Sequence, residues 1–244
     1  MSVHTQRAGK FVVFCTPSLD GRVSMEFFES SIRTEHLLHR CGISTGYRQV
    51  SGDQFIAKAR NRLVTDFLVE FPTATDLFFV DDDISWPAEK VRDFIARREM
   101  VVCGVYPKKS DSPSYPVEME TKDGKLIRQN GLFSAILAPT GFMRIKRPLL
   151  EAMVKNCRTY MEVMHDGSKK LSHNLFEAGL LPTGADWVGE DYDFCQKVRS
   201  MGETIWVDPD ITFTHRGPKK WTGCLNEPLQ AHIAVHEAPE LVNG

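Results

Sequence analysis

The sequence predicts an α/β protein with a mixed, mainly parallel central sheet flanked by helices. Three short apolar runs rich in β-forming residues, at 10–15, 76–80 and 100–105, are typical of buried strands. Helical patterns separate them, and strands that alternate with helices form βαβ crossovers. Ligands bind such sheets at the carboxyl ends of the strands, so functional side chains are expected there.

The helices of the first half are indicated by apolar residues at three- and four-residue spacing. The clearest pattern runs from 54 to 71, with Asp53 as a plausible N-cap and Pro72 beyond the end. A second helix is predicted over 24–39. A third opens at Trp86-Pro87 and runs to about residue 98, with Pro87 suited to the first turn.

The second half adds antiparallel pieces to this sheet. Extended runs at 116–121 and 125–129 flank Asp123-Gly124, which is a hairpin signal. The stretch 158–187 shows no clear periodicity and is interpreted as a mobile loop near a site. The remaining predicted elements are a strand at 133–137, helices at 148–157 and at 190–201 closed by Gly202, and extended runs at 204–207 and 211–214.

Size and composition indicate one folded domain. A chain of 244 residues with 42% hydrophobic and 25% charged residues has enough apolar material for one core, and no stretch has the composition of a disordered segment. The net charge of −2 gives no global attraction to nucleic acid. The six cysteines form no CxxC pair and are interpreted as buried free thiols. Without an apolar run of membrane length or a signal-like amino terminus, we expect a cytoplasmic protein with no membrane span.

The sharpest chemical feature is the acid triplet Asp81-Asp82-Asp83, which directly follows the apolar strand at 76–80. Adjacent carboxylates repel and raise one another's pKa unless a cation or strong donors neutralise them. Carboxylate oxygens suit Mg²⁺ or Mn²⁺, and Mg²⁺ is commonly held by one or two carboxylates together with substrate phosphates. The triplet therefore favours a metal site for a nucleoside diphosphate. A solvated acidic turn before the helix at Pro87 is the alternative.

Two further features are ambiguous in isolation. Glu190-Asp191 opens a helix, where acids also interact favourably with the helix dipole without any catalytic role. His215 follows an extended run, and a lone histidine is more often structural than a metal ligand. Their significance depends on the other motifs in the chain.

The order of the motifs resembles that of the GT-A glycosyltransferases along nearly the whole chain, from Phe11 to about Arg216. The stretch Ile56-Ala57-Lys58-Ala59-Arg60-Asn61, followed by a strand that ends in acids, is also similar to nucleotide-sugar enzymes of this kind. The four matching parts are Asp81-Asp82-Asp83 for the DxD motif, Pro139-Thr140-Gly141-Phe142-Met143 for the glycine-containing loop, Gly189-Glu190-Asp191 for the xED motif, and His215 for the carboxyl-terminal metal-binding histidine.

The resemblance implies a role for each matched residue. The donor would be a nucleoside-diphosphate sugar, with a UDP-sugar favoured, and the metal would be Mn²⁺ or Mg²⁺. Asp191, with Glu190 beside it, would be the catalytic base of an inverting enzyme or would position the acceptor in a retaining one. The other implied roles are substrate binding for Thr16, Pro17, Arg60, Asp81, Asp82, Lys108 and Gly141, and metal binding for Asp81, Asp83 and His215. Arg60 is alternatively a surface residue of an amphipathic helix, and Lys108 with Lys109 a solvated pair.

The whole chain, 1–244, would then be a single GT-A domain. Its nucleotide-binding half would span about 10–110, its acceptor-binding half about 111–216, and its carboxyl-terminal tail 217–244. The acceptor stays open between a glycan and a modified DNA base, since phage-type glycosyltransferases include enzymes of the latter kind. Alternative functions are a nucleotidyltransferase or other Mg²⁺-dependent nucleotide enzyme, although no P-loop is present, and a non-catalytic nucleotide-sugar-binding module.

Basic residues supply a possible nucleic-acid surface. They would line one groove with an aromatic residue among them, or else be solvated surface charges. The residues concerned are Arg97, Arg98, Lys146, Arg147, Arg216, Lys219, Lys220 and Trp221.

Overall fold

The computed structural model describes residues 9–112, 114–164, 166–180, 184, 186–232 and 235–237. No helix within these ranges combines the length and the apolar character that crossing a membrane requires. The helices are α1 (Met25–Arg40), α2 (Ile56–Glu70), α3 (Ala88–Ala96), α4 (Arg147–Val154), α5 (Glu190–Ser200) and α6 (Asn226–His232). The strands of the first half are β1 (Phe11–Ser18), β2 (Ser44–Ser51), β3 (Asp76–Val80), β4 (Ile84–Ser85) and β5 (Val101–Gly104). Those of the second half are β6 (Glu118–Met119), β7 (Thr121–Lys122), β8 (Lys125–Gln129), β9 (Leu132–Leu137), β10 (Phe142–Lys146), β11 (Thr159–Val163), β12 (Lys169–His173), β13 (Gly179–Leu180), β14 (Trp187–Val188), β15 (Ile205–Asp208), β16 (Thr212–Arg216), β17 (Lys220–Cys224) and β18 (Val235–Glu237).

The central sheet has the strand order β18-β8-β9-β15-β5-β10-β3-β1-β2. Strands β2, β1, β3, β5 and β15 all point the same way, and β10 runs antiparallel between β3 and β5. The strands from β6 to β9 add antiparallel pairs at one edge. The predicted α/β class, with a mainly parallel centre and an antiparallel addition from the second half, is confirmed.

The two faces of this sheet are buried in two apolar layers. Successive residues of a strand point to opposite faces, so Phe79 packs in the layer that contains Leu63 of α2, and Phe78 in the layer that contains Phe94 of α3. Every residue of β3 is buried. This double burial explains why β1, β3 and β5 appear in the sequence as continuous apolar runs.

Local signals agree with the structure at several element ends. Ser24 caps α1, since its hydroxyl accepts a hydrogen bond from Phe27 N at 3.1 Å. Asp123 and Gly124 both have positive φ and connect β7 to β8, which matches the predicted hairpin turn. The expected N-cap of α2 is wrong, because Phe55 occupies that position and Asp53 instead accepts from Phe55 N at 3.1 Å, ahead of the helix.

The interpretation of 158–187 as a stretch without secondary structure is wrong. Strands β11 and β12 form an antiparallel hairpin within it, and this hairpin lies against α2. The hairpin buries the charged residue Glu162, which forms ion pairs with Arg62 and Lys58. Because a charged residue fills this buried position, no apolar run marks the strands in the sequence. Positions 165, 181–183 and 185 of the predicted mobile loop lie outside the described residues.

The predicted carboxyl-terminal tail contributes secondary structure. Strand β17 pairs with β16, and β18 pairs with β8 in the central sheet. Positions 233–234 and 238–244 of that tail lie outside the described residues. Positions 1–8 of the amino-terminal segment, which we expect to lack a signal sequence, also lie outside them. All six cysteines are free, with Cys15, Cys103 and Cys195 buried as expected and Cys41 exposed.

Candidate active site

A cleft of about 420 Å³ opens where β1 and β3 end, at the carboxyl edge of the parallel strands. The acid triplet follows β3 directly, and α2 and α5 each present their amino-terminal turns to the same space. The lining includes Pro17, Ser18, Arg60, Asp81, Asp82, Asp83, Tyr106, Glu190, Asp191 and His215. The fold therefore brings together residues from both halves of the sequence.

Strand pairing places His215 beside the triplet. Strand β4 follows the triplet immediately and pairs with β16, with His215 opposite Ile84. The backbone N–H of Arg216 also donates to the carbonyl oxygen of Asp83 at 2.7 Å. The two segments are thus joined by backbone hydrogen bonds, which fixes the position of the imidazole.

Asp83 and His215 form the most metal-like pair of the cleft. His215 Nε2 lies 3.4 Å from Asp83 Oδ1, and Nδ1 lies 2.8 Å from the carbonyl oxygen of Pro107, to which it can donate. The ammonium of Lys109 bonds the other oxygen of Asp83. Burial on its own would raise the pKa of Asp83, but the hydrogen bonds from His215 and Lys109 hold that pKa below its usual value.

Arg60 connects the triplet to the acids of α5. Its side chain is only 3% exposed, its Nη2 donates to Asp81 Oδ1 at 3.0 Å, and its Nη1 bonds both Glu190 and Asp191. Tyr106 donates its hydroxyl to the second oxygen of Asp81 at 2.8 Å. One buried cation thereby neutralises carboxylates from two distant segments, so Arg60 is no mere surface residue of an amphipathic helix.

Asp191 is held from one side only. Thr140 donates its backbone N–H at 3.3 Å and also its hydroxyl to Oδ1 of Asp191, and the guanidinium of Arg60 donates to the same oxygen at 3.3 Å. Oδ2 is therefore available to accept a proton. Burial raises the pKa of the neighbouring Glu190, an effect that Arg60 opposes.

Gly141 allows the loop before β10 to pack directly on the triplet. Asp81 N donates to Gly141 O at 2.8 Å. A Cβ at this position would lie 2.0 Å from Asp81 Oδ2 and 2.3 Å from the Tyr106 hydroxyl. Only glycine fits here without moving the hydrogen-bonded pair.

Asp82 lines the cleft toward the end of β1. Burial raises its pKa, a hydrogen bond with Ser18 opposes that rise, and the neighbouring acids add to it. Its backbone carbonyl accepts from Ser24 N at 3.0 Å, which ties the triplet to the start of α1.

Some residues expected at the site lie elsewhere. Thr16 is buried beside a small apolar pocket that includes Phe14 and Trp86. Lys108 is exposed and does not line the cleft, whereas the adjacent Lys109 reaches Asp83.

The basic residues considered for a nucleic-acid surface do not line one groove. Residues 97, 98, 146 and 147 lie at the amino edge of the parallel strands, opposite the cleft, since Lys146 is paired in register with Asp76 at the start of β3. Three of them donate to backbone carbonyls: Arg97 to Asn130, Lys146 to Arg98, and Arg147 to Ala74, Phe67 and Phe71. Lys219 and Lys220, at the other edge, pair with Asp111 and Glu26.

The residues of the cleft fit a divalent ion in part. Within the described ranges, no three histidine, cysteine, aspartate or glutamate side chains converge as a complete metal site. Asp83 and His215 supply one carboxylate and one imidazole, and substrate phosphates commonly complete such a set. Asp81 fits less well in this arrangement, because Arg60 and Tyr106 engage both of its oxygens.

Sequence reasoning did not assign roles to Tyr106 and Thr140. Tyr106 lies two residues after the carboxyl end of β5. Ligands of parallel sheets bind at such strand ends, so this position was a signal that could have identified Tyr106. Thr140 stands within the glycine-containing loop, but its bond to Asp191 depends on a tertiary contact that no local pattern shows.

Comparisons with known proteins give distant likenesses. No protein-family model matches the sequence, and no curated protein matches it. One similar solved structure is a glycosyltransferase involved in the glycosylation of the major capsid of PBCV-1, with 11% identity and a TM-score of 0.33 over 59% of this chain and 63% of that one. Another is 4-diphosphocytidyl-2C-methyl-D-erythritol synthase from Anaerococcus prevotii DSM 20548, with 11% identity and a TM-score of 0.34 over 59% of this chain and 74% of that one. The match covers less than two thirds of the length of the PBCV-1 glycosyltransferase. A proposal for the function of this chain therefore depends on the residues of the cleft.

Proposed function

We propose that the protein is a metal-dependent GT-A glycosyltransferase that moves a sugar from a nucleoside-diphosphate sugar, with UDP favoured, to an acceptor hydroxyl. The observation that carries the proposal is the pairing of Asp83 with His215, at 3.4 Å, in a cleft that also contains Asp191. The same cleft thus offers a place for a divalent ion and a separate carboxylate for proton transfer.

Asp83 and His215 are the proposed ligands of Mn²⁺ or Mg²⁺. Held by these two residues, such an ion would supply Lewis-acid stabilisation of the negative charge on the leaving nucleotide. Lys109 is paired with Asp83 in the absence of substrate, and its ammonium is a proposed contact of the donor phosphates. With the ion bound, Asp83, His215 and Lys109 would form a positively charged subsite for the diphosphate leaving group.

Residues at the ends of β1 and β3 are the proposed donor site. Pro17, Ser18 and Asp82 line the cleft at these strand ends and are the proposed contacts of the nucleotide, and Asp81 is held in one orientation by Arg60 and Tyr106. An acid with both oxygens fixed can accept a ribose hydroxyl without losing conformational freedom on binding.

Asp191 is the proposed catalytic base of an inverting reaction. Its Oδ2 takes the proton of the acceptor hydroxyl while Oδ1 remains bonded to Thr140 and Arg60. Those bonds hold the carboxylate in place throughout the step. In a retaining enzyme the same carboxylate would bind and position the acceptor.

Donor binding tests the proposal directly. We expect UDP and UDP-sugars to raise the melting temperature in Mn²⁺, and to have no effect in excess chelator, because the metal joins protein and diphosphate. Nucleotide stabilisation that is the same in chelator would contradict metal-bridged binding. Products separate the alternatives: release of pyrophosphate from a nucleoside triphosphate would indicate a nucleotidyltransferase, and binding without any cleavage would indicate a binding module.

A further inference from the structure

Strand β2 forms one edge of the central sheet. Within the described ranges it pairs with β1 alone, in a register that does not shift over its eight residues. Ser44 N donates to the carbonyl oxygen of Lys10 at 2.9 Å, so the even-numbered residues of β2 direct their backbone groups toward β1. These groups alternate in direction along a strand, and those of Thr45, Tyr47 and Gln49 therefore point away from the sheet.

This edge lacks the features with which natural proteins prevent pairing to another chain. Such features are a very short strand, proline, bulges and outward lysines. The eight residues of β2, STGYRQVS, include no proline, lysine or bulge. The charged side chain of the strand, Arg48, is held by its own chain, since Nε lies 2.6 Å from Asp66 Oδ2 and Nη2 lies 3.5 Å from Glu70 Oε1 of α2. Within the described part of the chain, the edge is open to a further strand.

Apolar side chains lie beside the edge on the face of the sheet that α1 covers. The ring of Tyr47 is 49% exposed, stacks on Phe14 with centroids 5.4 Å apart, and lines a small pocket together with Ser31 of α1. Positions three or four apart share one face of a helix, so Phe28 lies beside both Ser31 and Ile32. Phe28 is 49% exposed and Ile32 is 50% exposed. Phe28, Ile32 and Tyr47 together form the edge patch.

We propose that β2 and the edge patch are the interface of a homodimer, in which β2 pairs antiparallel with β2 of a second copy. A two-fold axis at Tyr47 places this residue opposite its own copy, and Thr45 opposite Gln49 of the partner subunit. All three residues direct their backbone groups outward, so every outward N–H of one copy meets an outward carbonyl oxygen of the other. This self-complementary register favours a second copy as the partner, because the interface of a two-fold dimer must match itself.

The same axis stands normal to the sheet and brings α1 of both copies together on one face. The two edge patches then meet across the axis, which removes apolar side chains from water. The strand of eight residues is about 26 Å long, and the sheet with its helix layer is about 20 Å deep, so each copy offers on the order of 500 Å². The total of about 1,000 Å² reaches the lower limit of a specific interface, so we expect a dimer that dissociates on dilution.

Sedimentation equilibrium of the full chain tests the dimer. We expect the wild type to have the mass of two chains at about 100 μM and to dissociate on dilution. Ile32→Lys introduces an ammonium group into the edge patch. Gln49→Pro removes an outward N–H and leaves the pairing with β1 in place, because proline is tolerated on the open side of an edge strand. Each variant is expected to raise the Kd of the dimer by at least about tenfold.

Met201→Lys is the matched control. It introduces the same charge at an apolar side chain that is 41% exposed, at the end of α5, and α5 packs on β9 and β15 in the other half of the sheet. This variant is expected to dimerise like the wild type. Circular dichroism checks the fold of each variant, and if Gln49→Pro does not fold, Ile32→Lys decides alone because its side chain lies on a helix surface.

A wild type with the mass of one chain up to the highest concentration would overturn the proposal, and so would a dimer that a folded variant at position 32 or 49 leaves intact. The interface contains none of the residues assigned to the cleft, so the response to UDP with Mn²⁺ is expected to be the same in all these variants. That response separates the two proposals. Loss of the dimer with an unchanged donor response would support the interface, and a dimer in a protein that binds no donor would leave the interface standing while the proposed function is wrong.

Discussion

Arg60 Nη2 lies 3.0 Å from Asp81 Oδ1, and this ion pair joins α2 to the triplet after β3. The same guanidinium bonds Glu190 and Asp191, so three carboxylates share one cation. The positions of Asp81, Glu190 and Asp191 in the cleft consequently depend on Arg60, which belongs to neither acidic motif.

Replacement of this cation is predicted to destabilise the fold. Arg60→Gln leaves three partly exposed carboxylates without their shared positive partner, so we expect a loss of about 2–3 kcal/mol in the free energy of unfolding, less than for a fully buried pair. Urea unfolding of the variant measures it, with Arg33→Gln on exposed α1 as the control, for which little change is expected. A variant as stable as the wild type would show that Arg60 does not hold the acids together.

The destabilisation of Arg60→Gln is also predicted to depend on pH. Burial raises the pKa of Glu190 in the folded protein, and Arg60 lowers it, so the variant has the higher folded pKa. An acid with a raised folded pKa contributes most stability below its unfolded pKa and loses that contribution as pH rises through the folded value. The deficit relative to the wild type should therefore grow as the pH rises from about 4, near the ordinary pKa of glutamate, through the folded pKa of Glu190. A deficit that is constant over this range would contradict the charge-based explanation.

Gly141→Ala is predicted to disrupt the triplet through a steric contact. Its Cβ would lie 2.0 Å from Asp81 Oδ2, so the carboxylate and the Tyr106 hydroxyl must separate. We expect a loss of about 1–3 kcal/mol in stability together with weaker donor binding. Gly131→Ala offers a useful comparison, since its positive φ of 81° costs stability but its Cβ contacts nothing, and donor binding should persist. Equal donor affinity in Gly141→Ala and wild type would remove this loop from the donor site.

Asp191→Asn tests the proton-transfer role. The amide preserves shape but cannot accept the proton, so turnover should fall by roughly 10²–10⁴ while donor affinity is unchanged. Initial rates measure the turnover of this variant, and a donor titration measures its donor affinity. A smaller loss with a raised acceptor KM would favour acceptor positioning, and unchanged constants would mean that Glu190-Asp191 only begins a helix.

The buried strands were predictable because their apolar runs face two packed layers. Strand β2 was not, since Ser44–Ser51 is polar and lies at the sheet edge, beside β1 alone. Strand β10 was interpreted as part of a glycine-containing loop, because nothing local shows that Phe142–Lys146 inserts antiparallel between β3 and β5.

The acids of the site were predictable from position, but their partners were not. Asp81, Asp83 and Asp191 stand at strand or helix ends, where sequence and topology both indicate function. The bonds of Arg60 to Glu190 and of Thr140 to Asp191 join residues that are 130 and 51 positions apart in the chain. Such pairings are set by how the elements pack, which periodicity and motif spacing do not specify.

The Asp83 and His215 pair predicts a defined metal dependence. Asp83→Asn keeps the size of the side chain but removes the charge that would hold the ion, so the fold should remain while stabilisation by UDP with Mn²⁺ disappears. Asp93→Asn, an exposed acid on α3, is the control and should respond to donor like the wild type. A variant at Asp83 with normal metal-dependent donor binding would exclude this residue from the site.

Slow hydrolysis of a labelled donor is the most direct test of the proposed metal-dependent sugar transfer. A panel of nucleoside-diphosphate sugars carrying isotope in the sugar would be incubated with the protein in Mn²⁺, with water as the acceptor. We expect one donor to yield free sugar and nucleoside diphosphate, and we expect this cleavage to stop in excess chelator and in Asp83→Asn. Cleavage that continues in chelator, or no cleavage of any donor on the panel, would contradict a metal-dependent glycosyltransferase.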